Sequence, residues 1–125
     1  MKQIRILLVD DHPEVIKQVE ARLSYEDDFK VYKVASLEEL AVCIIECQPD
    51  VLLIDPYRNN ELDVECIKLA KQMIPKLSII VLAAVVDTVD HVELKKAGAD
   101  CILEKCIDSF ELITTLRKVI VNEQN

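Results

Sequence analysis

Apolar residues in this chain gather into short continuous runs, and four of these runs break off into residues that form a set. Ile4–Val9 runs into Asp10 and Asp11, Val51–Ile54 ends at Asp55, Ile79–Leu82 ends at Ala83, and Cys101–Leu103 ends at Glu104 and Lys105. Unbroken Val/Ile/Leu runs of this length suit strands buried on both faces of a parallel sheet. Between them the pattern switches to helical spacing. Pro13 is placed to open a helix whose inner stripe is Ile16, Val19 and Leu23. Phe29–Ala35 alternates as a second strand, and Ser36 with Glu39 forms a capping box for a helix reaching about Cys47.

The third strand ends at Asp55, Pro56–Leu62 reads as a polar loop, and Asp63–Ile74 reads as a third helix stopped by Pro75. The fourth strand is Ser78–Ala84. A fourth helix runs from about Thr88 to Ala97 and closes on Gly98, and its apolar positions (Val89, Val92, Leu94, Ala97) are few. The fifth strand is Asp100–Leu103. The last helix starts near Ser109 with Phe110, Ile113, Leu116 and Ile120 facing inward, ahead of polar Asn122–Asn125. Five β/α units predict an α/β fold, a (βα)5 doubly wound parallel five-stranded sheet in the flavodoxin-like strand order.

Composition narrows the function. A chain of 125 residues, half of them hydrophobic, is long enough for one domain (1–125) with a proper core. A formal charge of −8 argues against this segment gripping a nucleic-acid backbone itself, so DNA contact would need a separate output domain. The longest apolar stretch, Ile79–Val86, is too short to cross a bilayer, and Asp10 and Asp11 cut short the apolar core that a signal peptide would need after Lys2 and Arg5. A cytoplasmic location is expected. Gly98 is the one glycine, which excludes phosphate-cradling loops and dinucleotide fingerprints that need several. The cysteines, Cys43, Cys47, Cys66, Cys101 and Cys106, are read as reduced and mostly buried, with Cys106 at the cleft mouth the thiol to watch.

In open parallel sheets, ligands bind beyond the carboxyl ends of the strands, where Asp10, Asp11, Asp55 and Lys105 would meet. Two carboxylates about 4 Å apart repel by roughly 4 kcal/mol at an effective dielectric near 20, and a hard divalent cation removes that repulsion. Mg2+ suits such a site, because it takes one or two carboxylates and completes its octahedron with waters and phosphate oxygens. Lys105 supplies a point charge able to pair with Asp55 and then with a phosphoryl oxygen. The competing reading of Asp10–Asp11 is helix capping ahead of Pro13.

The segments ILLVDDHP, PDVLLID and KKAGADCILEK carry a resemblance over the full length to receiver domains of two-component response regulators. The opening VDDHP and the loop lengths resemble the subgroup that usually precedes a LuxR-type helix-turn-helix domain. The resemblance implies that Asp55 is the phosphoacceptor, receiving its phosphoryl group from a sensor histidine kinase or phosphotransfer protein. It implies that Asp11 ligates Mg2+ directly, Asp10 through water, and Tyr57 through its backbone carbonyl, and that Lys105 holds the phosphoryl group. The work is positioning and charge neutralisation. The resemblance makes the fourth helix and fifth strand the partner-facing surface, and the exposed side of that helix, with His91, Lys95 and Lys96, is read either as an interface, a homodimer among the options, or as a solvated face.

Several positions depart from the family pattern. Ala83 stands where the family has a hydroxyl that binds the phosphoryl group, and a charged hydrogen bond of that kind contributes about 1.5–3 kcal/mol. Its absence would weaken the active-state bias by about tenfold or more. Ile102 replaces the aromatic switch residue, Arg58–Asn59 replaces the usual Met-Pro, and Asp63 replaces a glycine. Cys106 replaces a proline that follows a cis bond, so a trans bond and a shifted loop are expected. The acceptor residues are complete and the read-out residues are not. A working receiver with unconventional switching is the leading expectation. A pseudo-receiver that binds partners regardless of phosphorylation is the alternative. An aspartyl-phosphate hydrolase, an enzyme, lacks its D-x-D motif here. His12 beside the site is read as a surface histidine without a catalytic part, and His91 has none.

Overall fold

A computed structural model describes residues 2–34 and 36–124, with side chains described as far as Ile120. Five parallel strands form the sheet: β1 (Ile4–Val9), β2 (Phe29–Val34), β3 (Val51–Ile54), β6 (Ser78–Ala83) and β7 (Cys101–Glu104). Their order is β2-β1-β3-β6-β7, the flavodoxin-like arrangement expected from the alternating pattern. The register sets Val9 beside Ile54, Ile54 beside Val81, and Ala83 beside Glu104, so the carboxyl ends of the strands stand level. Ala35, the expected end of β2, lies outside the described residues.

Strand alternation divides the core in two. Leu7, Val9, Leu52, Ile54, Ile79 and Val81 pack on one face with α2 (Leu40–Cys47), α3 (Glu65–Met73) and α4 (Thr88–Ala97). Ile6, Leu8, Val51, Leu53, Ile80 and Leu82 pack on the other with α1 (Pro13–Leu23) and α5 (Ser109–Gln124). Every residue of β3 and β6 is buried, whereas the edge strands β2 and β7 stay partly open. Continuous apolar runs therefore mark the central strands.

Pro13 occupies the first position of α1, and Ile16, Val19 and Leu23 are its buried stripe, as the spacing predicts. Gly98 closes α4 at φ 123°, a conformation an L side chain resists, and an added Cβ would stand 2.6 Å from Lys71 Cγ. Asp87 caps α4, its carboxylate accepting from the Asp90 N–H at 2.8 Å.

Several expectations need correction. Pro56–Leu62 is not a plain loop: β4 (Tyr57–Arg58) and β5 (Glu61–Leu62) pair antiparallel around Asn59–Asn60. Both asparagines are left-handed (φ 49° and 65°), the pattern of a two-residue hairpin turn that Asn tolerates. Ser36 does not complete a capping box: its hydroxyl accepts from the Glu38 N–H at 3.2 Å, and a short 3-10 turn, Leu37–Glu39, precedes α2. Helix α3 starts at Glu65 because Asp63 stays outside and accepts from the Cys66 N–H at 3.3 Å.

Phe110 does not face inward; it is 80% exposed, and Leu112, Leu116 and Ile120 form the buried stripe. Position 110 lies ~200° around the helix from position 112, so burying the latter turns the former out. On α4, Leu94 and Ala97 are buried while Val89 and Val92 are exposed. Of the cysteines only Cys47 and Cys66 are buried; Cys106 is exposed, and all five are free thiols. Helix α5 continues through Asn122 to Gln124, and Asn125 lies outside the described residues. Among the described residues no peptide bond is cis, so the Lys105–Cys106 bond is trans as expected.

Candidate functional site

Backbone hydrogen bonds that extend the sheet by one residue fix the key side chains. The Asp10 N–H donates to the Val34 carbonyl at 3.2 Å, that of Asp55 to Val9 at 3.0 Å, and that of Lys105 to Ala83 at 2.9 Å. Each functional residue thus inherits its position from the strand before it. Asp10 and Asp55 are buried, only 3% and 8% exposed.

The three side chains converge. Lys105 Nζ stands 2.8 Å from Asp10 Oδ2 and 2.6 Å from Asp55 Oδ2, bridging both carboxylates. Burial works against the Lys105 charge, but the hydrogen bonds to Asp10 and Asp55 outweigh it, so its pKa is raised above the ordinary 10.5. Asp55 Oδ1 accepts from the Tyr57 N–H at 3.0 Å. Asp10 Oδ1 accepts from the His12 N–H at 2.8 Å and lies 2.9 Å from His12 Nδ1.

Above these groups opens a cleft of about 510 Å³, lined by Asp11, His12, Asp55, Tyr57, Asn59, Asn60, Ala84, Val85 and Lys105. Asp11 is exposed and faces this space, while Asp10 lies beneath it. The Tyr57 hydroxyl donates to Asp90 Oδ2 at 2.7 Å, tying the hairpin to α4. Burial first, and this bond second, push the Tyr57 pKa well above its usual value.

The positions expected to serve read-out sit apart from the cleft lining. Ala83 is fully buried, and the wall at that point is Ala84. Ile102 is half-buried against the core in β7. Cys106 does not line the cleft; its Sγ is 3.6 Å from Glu104 Oε2. The sequence reading missed Asn59 and Asn60 as lining residues, and it gave His12 no contact with Asp10. The Asn-Asn pair was the available signal for the hairpin. Nothing in the spacing of His12 foretold its turn back towards β1.

The donor set fits a hard divalent cation. Two carboxylates already close on a cationic group, and a third, Asp11, faces the same space with oxygen as its only ligand atom. Asp10, His12 and Asp55 each offer one ligand atom within 4.8 Å of the others.

Residues 6–117 match the family model described as the response regulator receiver domain. The response regulator protein VraR of Staphylococcus aureus is 26% identical over 116 residues, covering 92% of this chain and 56% of VraR. The chain thus spans about half the length of the curated relatives it matches. A CheY-like receiver domain protein from Methanospirillum hungatei superposes with a TM-score of 0.90 at 20% identity, covering 98% of both chains. A LuxR-family two-component response regulator from an Aurantimonas strain gives 0.87 at 21% identity, covering 97% of this chain and 87% of that one. These structures share the fold, and no helix among the described residues is long and apolar enough to cross a membrane. With the strand-end acids, the bridging lysine and the family match in agreement, the chain belongs to the response regulator receiver domain family.

Proposed function

We propose that Asp55 accepts a phosphoryl group from a phosphohistidine on a sensor histidine kinase or phosphotransfer protein, in a phosphorelay that regulates transcription. The observation that carries this reading is the Lys105 ammonium bridging Asp10 and Asp55 at 2.8 and 2.6 Å on the cleft floor. That contact aligns Asp55 and keeps a cation beside the place where a phosphoryl oxygen would arrive.

The Asp55 carboxylate forms the new O–P bond as the P–N bond of the donor breaks. The electron pair leaves on the imidazole nitrogen, which takes a proton from solvent, and the product is an acyl phosphate. Asp11, Asp55 and the Tyr57 carbonyl would hold Mg2+, with Asp10 acting through water. When bound, Mg2+ supplies neutralisation of charge on the phosphoryl oxygens. Lys105, kept protonated by its two acidic partners, shifts one hydrogen bond to the incoming group. The domain is a phosphoacceptor, not a turnover enzyme, and its setting is the cytoplasm. Its output passes to a separate DNA-binding domain, since a net charge of −8 opposes contact of this domain with a nucleic-acid backbone, and the α4 side is the face for homodimerisation.

Signal transmission takes an unconventional route. Ala83 has no hydroxyl and Ile102 no aromatic ring, but Tyr57 joins the acceptor loop to α4 through Asp90. The second reading, a pseudo-receiver whose partners ignore phosphorylation, draws on the buried Ala83 methyl at the switch position. Incubation with Mg2+ and acetyl phosphate, followed by intact-protein mass measurement, separates the two. The working receiver gains one phosphoryl group, and Asp55→Asn or omission of Mg2+ prevents it. No gain, together with no Mg2+ binding in the same sample, leaves only the pseudo-receiver.

A further inference from the structure

We propose that the Asn60 carboxamide donates a hydrogen bond to the phosphoryl group carried by Asp55, so that the short hairpin after the acceptor supplies a phosphoryl contact. This rests on the reading of Asp55 as the phosphoacceptor and adds a contact residue to it.

The chemistry of the group leaves a place for such a donor. Charge on a transferring phosphoryl group is spread over three oxygens. Lys105 and a bound cation can each serve one of them. On the β6 side of the cleft stand Ala84 and Val85, beyond the buried Ala83, and none of these side chains has a hydrogen-bond donor. The Tyr57 hydroxyl is committed to Asp90 at 2.7 Å, and the His12 ring lies 2.9 Å from Asp10. Among the cleft-lining side chains this leaves the carboxamides of Asn59 and Asn60, which are exposed and make no hydrogen bond among the described residues.

The hairpin that carries them is clamped at both ends. Its first residue, Tyr57, donates its backbone N–H to Asp55 Oδ1 at 3.0 Å, and the Asp63 N–H closes the base on the Pro56 carbonyl at 2.9 Å. Tyr57 pairs with Leu62 and Arg58 with Glu61, so the two asparagines form the turn. Tyr57 and Leu62 also pack against the core. The turn is thereby tied to the acceptor carboxylate itself.

Of the two asparagines, Asn60 is the one committed to the cleft. Asn59 also borders a second concavity with Arg58, Glu61, Leu62 and Asp63, whereas Asn60 does not. Asn60 also stands where the backbone favours another residue. Two-residue hairpin turns with positive φ at both positions prefer glycine at the second, and Asn60 holds φ 65° there. Its side chain therefore gives the turn nothing that glycine would lack. What it adds is a carboxamide donor at the cleft.

The test is fluorine NMR of the full chain titrated with beryllium fluoride in saturating Mg2+. Beryllofluoride occupies a carboxylate as a stand-in for the phosphoryl group, and its bound fluorines report occupancy. Asn60→Gly removes the carboxamide and keeps the turn, which urea unfolding checks. A hydrogen bond to a charged acceptor corresponds to about tenfold in affinity or more. Beryllofluoride should therefore bind Asn60→Gly at least about tenfold more weakly, while Mg2+ alone, titrated by calorimetry, binds it as tightly as the wild type. Equal beryllofluoride affinity in the two proteins overturns the contact and leaves Asp55 as the acceptor. A matching fall in Mg2+ affinity traces the loss to the cation and overturns the contact as well. A wild type that binds no beryllofluoride overturns the acceptor reading beneath it.

Discussion

Replacing Lys105 by Met probes the centre of the site through stability alone. The ammonium touches two carboxylates whose side chains are only 4% and 9% exposed, so removing it leaves buried like charges facing one another. At an effective dielectric near 20, each pair at these distances is worth about 6 kcal/mol before desolvation is counted. Desolvation offsets much of this, and removing one partner of a buried ion pair destabilises by about 3–5 kcal/mol. The Lys105 side chain keeps about a fifth of its surface in water, which favours the lower end, about 3 kcal/mol. A domain of this size has about 5–15 kcal/mol of stability, so the variant still folds. Urea unfolding followed by far-UV circular dichroism, with a chelator present, measures the loss. Mg2+ at 100 times its Kd should then return about 2.7 kcal/mol to the variant, and less to the wild type, whose ammonium already neutralises the acids. A variant within about 0.5 kcal/mol of wild type in chelator would refute the view that Lys105 holds two otherwise repelling carboxylates.

Other perturbations test the frame around the site. Gly98→Ala forces a Cβ to 2.6 Å from Lys71 Cγ at a positive φ, and should cost about 1–3 kcal/mol in urea unfolding. Tyr57→Phe removes the bond to Asp90, and should raise amide exchange in α4 with a stability loss of about 1 kcal/mol. At the far end of the sheet, Arg117 binds Asp28 at 2.7 and 2.9 Å and Glu26 at 2.7 Å. The hydrogen bond from Arg117 holds the Asp28 carboxyl below its ordinary 3.8, so its contribution is complete above about pH 3.8 and fades as pH falls through the lower folded-state value. The stability gap between wild type and Arg117→Met should therefore close in acid, as urea midpoints across that range would report.

Continuous apolar runs made the sheet and its acidic ends legible from the sequence, because strands such as β3 and β6 are buried on both faces and admit no polar residue until they stop. The same logic placed Asp10, Asp55 and Lys105 in one cleft, since each follows its strand by a single residue. What escaped depends on less than a full period. Strands of two residues, Tyr57–Arg58 and Glu61–Leu62, carry no alternation to detect, so a hairpin passed for a loop. At α5 two apolar stripes compete, one through Phe110 and Ile113 and one through Leu112, Leu116 and Ile120, and packing on the sheet selects the second. His12 eluded the sequence for a third reason. Its contact with Asp10 arises from the backbone path into α1, which residue types do not encode one by one.

The central claim, that Asp55 carries the phosphoryl group, is tested most directly by locating that group. Protein incubated with Mg2+ and acetyl phosphate is treated with borohydride, which reduces an acyl phosphate to the alcohol, and then digested and sequenced by mass spectrometry. The account predicts reduction at Asp55 and at no other carboxylate. Reduction at Asp10 or Asp11, or a phosphorylated protein unchanged at Asp55, would contradict it.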